Sequence, residues 1–273
     1  MKHTPNANPQ FFLTHSQKCA YLPNRLERKI FTKLETENGE SLNNSLSKQG
    51  FRRSQNILYR PACQECTACF SARINVSKFC KSKSQKRIIN KNRGIVRSIK
   101  NPWATEEQYA LFNKYLHYRH INGGMTEMEI YEFAAMIEES SVLSKVVEYH
   151  SKGQLFESTL IGASLTDILE DGVSMVYSFF DPEIRKNSLG KYIILDHIEY
   201  AKQLNLPYVY LGYWVPKSNK MGYKNEFSGI EVFNNGIWHE LKPDSNLQLK
   251  PNKSDTVSNQ VANLKLPTNF LEI

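Results

Sequence analysis

The chain has 273 residues, enough for one large domain or two small ones, and its 40% hydrophobic content can supply a core. Thirty-five Lys and Arg against 27 Asp and Glu leave a formal charge of +8 and a pI near 9.1, a balance that favours polyanions such as nucleic acid and equally serves plain solubility. No run of roughly 18 apolar residues occurs, which excludes a membrane-spanning helix, and the opening MKHTPNANPQ leads only to Phe11-Phe12-Leu13, too short for a signal-peptide core, so export is not expected.

Three of the five cysteines follow as Cys63-x2-Cys66-x2-Cys69, with Cys19 upstream, a pattern of reduced thiols or a metal site rather than a secreted disulfide framework, and the cytoplasm is the expected compartment. Between Glu35 and Gln49 the polar run ETENGESLNNSLSKQ predicts a surface loop. Residues 77–100 carry a dense basic run without a single Asp or Glu, which reads as a phosphate-tracking helix or as a solvated helix face. Asn101-Pro102-Trp103 breaks the chain, and Thr105 with Glu106 and Glu107 starts a helix reaching about Tyr118. A second helix near 126–138 is followed by strands at VLSKVVEYH, LIGASLTDIL and VSMVYSFF, the last two joined by the turn dipeptide Asp171-Gly172.

Asp181-Pro182 ends that strand, and Ser188 is a candidate N-cap for SLGKYIILDHIEYAKQL, with Leu189, Ile193, His197 or Ile198, Ala201 and Leu204 on one side. In YVYLGYW, Val209, Leu211 and Tyr213 are predicted to face one way and Tyr208, Tyr210 and Trp214 the other. From 233 to 273 the sequence is polar and aperiodic and predicts a poorly packed tail, after an N-terminal cysteine-containing domain over 1–100 and a second domain over 101–232.

The stretch LGYWVPKSNKMGYKNEF runs from a buried strand straight into rings and lysines. If the residues after Pro216 are helical, Lys220, Tyr223, Lys224 and Phe227 share a face, offering rings for base stacking and ammonium groups for phosphates, or core rings with lysines snorkelling at the rim. Arg185-Lys-Asn-Ser188-Leu-Gly190 puts a glycine and free N–H groups at a helix start, a place for an anion or a mere cap. There is no G-x-S-x-G, H-E-x-x-H or Walker loop, and His197 on its helix reads as a core residue. The thiols Cys19, Cys63, Cys66 and Cys69 leave zinc or an iron–sulfur centre open, but three ligands bunched this closely seldom close a tetrahedron, so no metal is expected.

Three separated segments, CAYLPNRLERKIFT (19–32), YRPACQECTACFSARINVSKFCKSKSQKR (59–87) and TDILEDGVSMVYSFFDPEIRKNSLGKYIILDHIEYAKQLNLPYVYLGYWVPKSNKMGYKNEF (166–227), resemble the bacterial aspartate/glutamate leucyltransferases, within the wider arginyl-tRNA-protein transferase family. The resemblance implies an α+β fold, with a GNAT-like acyltransferase C-terminal domain and a smaller cysteine-containing N-terminal domain. It implies transfer of leucine from leucyl-tRNA to the α-amine of proteins beginning with Asp or Glu, marking them for N-degron proteolysis, with the arginyl donor as the alternative. The ester is already activated, so no cofactor is required and positioning carries much of the rate.

Within that resemblance Asp167, Tyr177 and Tyr213 are the candidates for proton handling, and Lys220, Tyr223, Lys224, Arg185, Lys86 and Arg87 for contact with tRNA. Arg25 and Arg73, with Arg28 in reserve, are the candidates for holding the acidic side chain, because a guanidinium grips a carboxylate in bidentate geometry. A tRNA-binding protein without catalysis and an acetyl-coenzyme A-dependent N-acetyltransferase are the competing classes.

Overall fold

Short strands dominate the start of the chain in the computed structural model, which describes residues 8–64, 66–119, 126–152, 158–216, 218, 221–241 and 257–267, without the side chains of Lys152, Arg185 and Lys186. Two compact units divide it, Met1–Ile74 with Leu211–Ile273, and Asn75–Tyr210. The expected boundaries at 100 and 232 fall inside these units.

The first unit opens with β1 (Phe11–Leu13), β2 (Gln17–Lys18), β3 (Leu26–Glu27) and β4 (Lys29–Lys33). Next come α1 (Gly39–Lys48), β5 (Arg52–Ser54), β6 (Ile57–Pro61) and β7 (Phe70–Asn75). Four of these strands form an antiparallel sheet in the order β1-β4-β6-β5, and β2 pairs with β3 as a ribbon. The stretch expected as a loop at 35–49 is largely helix α1, because Leu42 and Leu46 bury one side together with the small polar Asn43 and Ser47. Two leucines in a polar run are too sparse a stripe to stand out. Gly50 ends α1 at φ +82°, and a Cβ there would lie 2.7 Å from the Phe233 ring, so both backbone and space require glycine.

The second unit starts with α2 (Lys83–Lys91) and β8 (Ile95–Lys100). The basic stretch is therefore not one helix: Ser82 and Gln85 form a capping box at one end of α2, Asn92 closes the other, and the chain then extends. After α3 (Glu106–Arg119) and α4 (Ile130–Glu138) come β9 (Ser144–Lys152), β10 (Ser158–Leu169) and β11 (Gly172–Phe180), which pair antiparallel in the order β8-β9-β10-β11. The Asp171-Gly172 hairpin forms as predicted.

Helix α5 (Leu189–Gln203) then crosses over to β12 (Tyr208–Trp214), whose first three residues run parallel to Gly172–Ser174 of β11. Leu111, Phe112, Phe133, Ile137, Val146, Leu165 and Phe179 form the core under β10 and β11. Each large apolar side chain so buried contributes about 1.5–3 kcal/mol. Ser188 does precede α5, but at φ +53° in the left-handed region and without a side-chain cap bond, so its expected role as a hydroxyl cap is not what holds the helix start. Leu204, expected on the buried side, is 40% exposed because the helix has ended at Gln203.

Past β12 the chain rejoins the first unit as β13 (Ile230–Asn234), β14 (Ile237–Glu240) and α6 (Val257–Ala262). The segment expected as an unpacked tail thus supplies a hairpin. β13 pairs with β7 from Ile230↔Ile74 to Phe233↔Ser71, and the Trp238 indole donates to the Lys48 carbonyl at 2.8 Å. Farther on, the Lys265 carbonyl accepts from Ser45 of α1 and from Gln49 just after it. Four apolar residues in Ile230–Phe233 and Trp238 are enough to anchor it, too few for a period to be read.

Candidate functional site

Expected alternation fails in β12: from Val209 to Trp214 every residue is buried, and Gly212 sits at φ +71°. Around that glycine two cations converge. A Cβ on Gly212 would lie 1.7 Å from Nη1 and 2.5 Å from Cζ of Arg52, so the guanidinium lies against the bare α-carbon. Arg52 is carried on β5 opposite Tyr59 of β6. Lys224, on a 3₁₀ turn over Gly222–Glu226, donates from Nζ to the carbonyls of Leu211 at 2.7 Å and Tyr213 at 2.5 Å, the residues flanking Gly212.

Lys224 is 4% exposed, and among the described residues no carboxylate meets it. Burial, and then the charge of Arg52, hold its ammonium well below the ordinary lysine value. Rings close the place. The Tyr213 hydroxyl donates to the Tyr59 carbonyl at 2.9 Å, and the two rings lie 6.0 Å apart. Burial pushes the Tyr213 phenol far up and the Tyr21 phenol up to about 12. Glu27 is already engaged by Lys29 at 2.9 Å and by Gln17 at 2.7 Å.

Cys19, Cys63, Cys66 and Cys69 belong to the same unit. Burial pushes Cys69 up to about 12, with further upward pressure from Cys63, Cys19 and Cys66, and raises Cys63 in the same way. Such thiols stay protonated at neutral pH and are poor ligands until a metal displaces their protons. Cys63 donates to the Arg28 carbonyl at 3.7 Å, and Cys19 accepts from the Tyr21 N–H at 3.5 Å. No group of three His, Cys, Asp or Glu among the described residues is arranged to hold an ion.

In the second unit several buried polar groups are joined in hydrogen-bonded networks. His197 is fully buried: its Nδ1 lies 2.8 Å from the Ile193 carbonyl, which can only accept, so Nδ1 carries the hydrogen and Nε2 accepts from Thr166 at 2.8 Å. Burial holds this imidazole below its ordinary value and therefore neutral. Tyr149 donates to Asp196 at 2.9 Å, and Arg97 pairs with the same carboxylate at 3.2 Å. Burial pushes Glu148 up, but hydrogen bonds from Lys100 and Gln108, both at 2.7 Å, outweigh it and hold the carboxyl below its ordinary value.

Against that frame the residues chosen from sequence divide. Asp167 is 1% exposed and accepts from Ser144 at 2.7 Å; Tyr177 packs edge-on to Phe112. Tyr213 spends its hydroxyl on a backbone carbonyl, which leaves it no free base in this arrangement. Lys224 needs correction: it is no surface cation, since the chain after Met221 forms a 3₁₀ turn that drives it inward onto carbonyls. The face expected with Tyr223, which is half-buried, and Phe227, which is buried, does not form. Lys220 lies outside the described residues, as does the side chain of Arg185.

Lys86 and Arg87 are exposed side by side on α2. Arg73 is buried, paired with Glu231 at 2.8 Å and stacked 4.2 Å from the Trp238 ring, so the structure already commits it. Arg25 is exposed on the turn before β3, and Arg28 donates to the Thr14 carbonyl at 3.4 Å.

Comparison with known proteins gives the frame for these groups. Residues 17–87 match the N terminus and residues 107–234 the C terminus of the family described as arginine-tRNA-protein transferase. The chain belongs to the arginine-tRNA-protein transferase family. It is 53% identical to the aspartate/glutamate leucyltransferase of Ruegeria pomeroyi over 98% of this chain and 97% of that one. It is 49% identical to the protein of the same name from Paracoccus denitrificans over 98% and 99%. The resemblance carried by the three motif segments is borne out.

Among solved structures, the L-PGS of Bacillus licheniformis aligns at a TM-score of 0.43 over 54% of this chain and 45% of that one with 12% identity, and FemX at 0.41 over 80% and 65% with 9%. These likenesses are too distant to speak for activity. Within the family frame, sequence reading missed Arg52 and Gly212. A glycine in the middle of an aromatic strand run was the signal available, because only close approach of another group or an unusual backbone explains it there.

Proposed function

We propose that this transferase moves leucine from leucyl-tRNA to the α-amine of proteins beginning with Asp or Glu, marking them for N-degron proteolysis. Near-full-length identity of 53% to a protein of that name carries the reading. The amine nitrogen attacks the ester carbonyl, a tetrahedral intermediate forms, and the bond to the ribose oxygen breaks. The amine's proton leaves through a base while the ribose oxygen gains one, giving an amide and deacylated tRNA. The ester supplies the driving force, so the reaction requires neither ATP nor a cofactor.

The order β10, β11, α5, β12 and the left-handed Ser188 at the head of α5 support a GNAT-like arrangement for the catalytic part. Exposed cations on α2, Lys86 and Arg87 among them, support contact with the tRNA body. No helix among the described residues is long and apolar enough to cross a membrane, and dependence on tRNA suits the cytoplasm.

Transfer of labelled leucine, and separately arginine, from charged tRNA to matched peptides beginning with Asp, Glu or Ala tests the reading. Leucine on the acidic pair alone is expected. Arginine instead moves the donor assignment to the other branch, and neither label with tRNA still bound replaces the enzyme with a binding protein.

A further inference from the structure

We infer that the outer face of α2, continued by Arg93, is a base-blind site for double-stranded RNA, which holds the phosphate strands of tRNA equally before and after leucine has left. That the duplex belongs to tRNA rests on the proposed transfer.

Cations around α2 differ in what they meet. Lys81 is paired with Glu199 at 2.8 Å, Arg97 with Asp196 at 3.2 Å and Lys100 with Glu148 at 2.7 Å. Lys83, Lys86, Arg87 and Arg93 are exposed, and among the described residues none of the four has a hydrogen bond or an ion pair. No Asp or Glu occurs from 77 to 100 to supply one locally. Lys83 lies three residues before Lys86 and four before Arg87, spacings at which like charges destabilise a helix. The fold nevertheless holds these charges in place. Ser82 and Gln85 fix the first turn, and the Asn92 side chain donates at 2.8 Å both to the Ile88 carbonyl and to the Asn187 carbonyl just ahead of α5. A polyanion laid along the face relieves the repulsion.

The other side chains of the face select the class of polyanion. Single strands are held by rings on which bases stack, and the one ring in 77–100, Phe79, is buried. Exposed beside the cations are instead Ser84 and Asn90, short groups able to bond 2′-hydroxyls across the shallow groove of an A-form duplex. Phosphates carry no sequence and do not change when the aminoacyl group leaves. Binding here therefore favours substrate, transition state and product alike: it lowers KM for leucyl-tRNA, adds nothing to kcat and leaves deacylated tRNA as a competitor.

Fluorescence anisotropy with deacylated leucine tRNA, deacylated glycine tRNA, an RNA hairpin of unrelated sequence, a DNA hairpin of that same sequence and a uridine-only RNA strand tests this. The wild-type chain should bind the first three within about threefold of one another, and the last two at least about tenfold more weakly. The double variant Lys86→Gln with Arg87→Gln, checked for cooperative melting, should weaken the three duplex probes alike by about tenfold. It should also reduce the slope of log affinity against log salt by about 1.4 to 1.8, the worth of two contacts, and each single variant by about half of that. KM for leucyl-tRNA and the inhibition constant of deacylated tRNA should rise by the same factor with kcat unchanged. Lys18→Gln with Lys33→Gln removes as much charge from exposed positions in the first unit and should leave every affinity within about twofold.

A DNA hairpin or single strand bound as tightly as the RNA hairpin overturns the assignment, and so does a loss in the first-unit variant equal to that in the α2 variant. A fall in kcat with KM unchanged overturns it too, because the cations would then act on the reacting ester and not on phosphates. None of the binding measurements needs leucine: if the chain transfers none, the proposed function falls by itself and the probes still decide here. Transfer that persists while hairpin affinity is unchanged in the α2 variant removes this site alone.

Discussion

Glu148 and Lys224 are both ionisable groups taken out of water, one in each unit, and they are treated in opposite ways. Glu148, with 3% of its side chain exposed, sits among donors, Lys100, Gln108 and Ser98, so its charge is matched within the fold. Among the described residues Lys224 has carbonyl dipoles as its hydrogen-bond partners, and the charge acting on it is that of Arg52. A matched buried charge needs nothing further; one set near a like charge costs the fold stability.

The sharpest way to break this contrast is to delete the lysine. Lys224→Ala leaves two carbonyls without their buried donor and a space where the chain ran, and should lower stability by about 3 kcal/mol in urea denaturation. A loss under about 0.5 kcal/mol would mean that the carbonyls find other partners and that Lys224 positions nothing. Glu148→Ala should cost somewhat less, about 2 kcal/mol, because Gln108 is left buried without its acceptor while Lys100, 54% exposed, swings into water. Equal losses in the two variants would erase the distinction between matched and unmatched charge.

Titration sharpens it further, since the two units respond at opposite ends of the pH scale. The His197 pKa is lowered in the folded chain, so the unfolded chain binds more protons below the ordinary histidine value, and stability falls as pH drops from there toward the folded value. Glu148, also lowered, holds its contribution above the ordinary carboxylate value and loses it as pH falls through its folded value. Lys224, lowered as well, makes stability rise with pH from its folded value up to the ordinary lysine value, and Lys224→Met should flatten that alkaline limb alone. A His197→Gln variant that keeps the full acid slope near neutrality would exclude His197 as its source.

The smallest effect is expected outside both sites. Lys86→Ala and Arg87→Ala on α2 should change stability by less than about 0.5 kcal/mol, yet each should reduce the slope of log affinity for tRNA against log salt by about 0.7 to 0.9. An unchanged slope would take α2 out of the contact surface.

What could be foreseen followed the strength of local signals. The Asp171-Gly172 hairpin, helix α3 and the order of strands and helix through Trp214 were legible because turn residues, acidic first turns and apolar runs coincide there. Helix α1 was hidden by its polar composition, and the break at Asn92 lay within a run whose charges drew attention from its backbone. The site was less legible than the fold. Spacing placed Lys220, Tyr223, Lys224 and Phe227 on one helical face, but a 3₁₀ turn has another period and turned Lys224 inward. Arg73 read as a free guanidinium because Glu231, its partner, is 158 residues away, and no local pattern announces such a pair.

That separation also governs how the protein is made. Residues 75–210 leave the ribosome as an uninterrupted unit, whereas β7 must wait for β13. At roughly 5–20 residues per second, Glu231 follows Arg73 by roughly 8–32 s, long enough for the later-numbered unit to fold first. For that interval the nascent chain carries Phe70, Ala72 and Ile74 uncovered, a hydrophobic strand awaiting its mate and an evident place for a chaperone to hold.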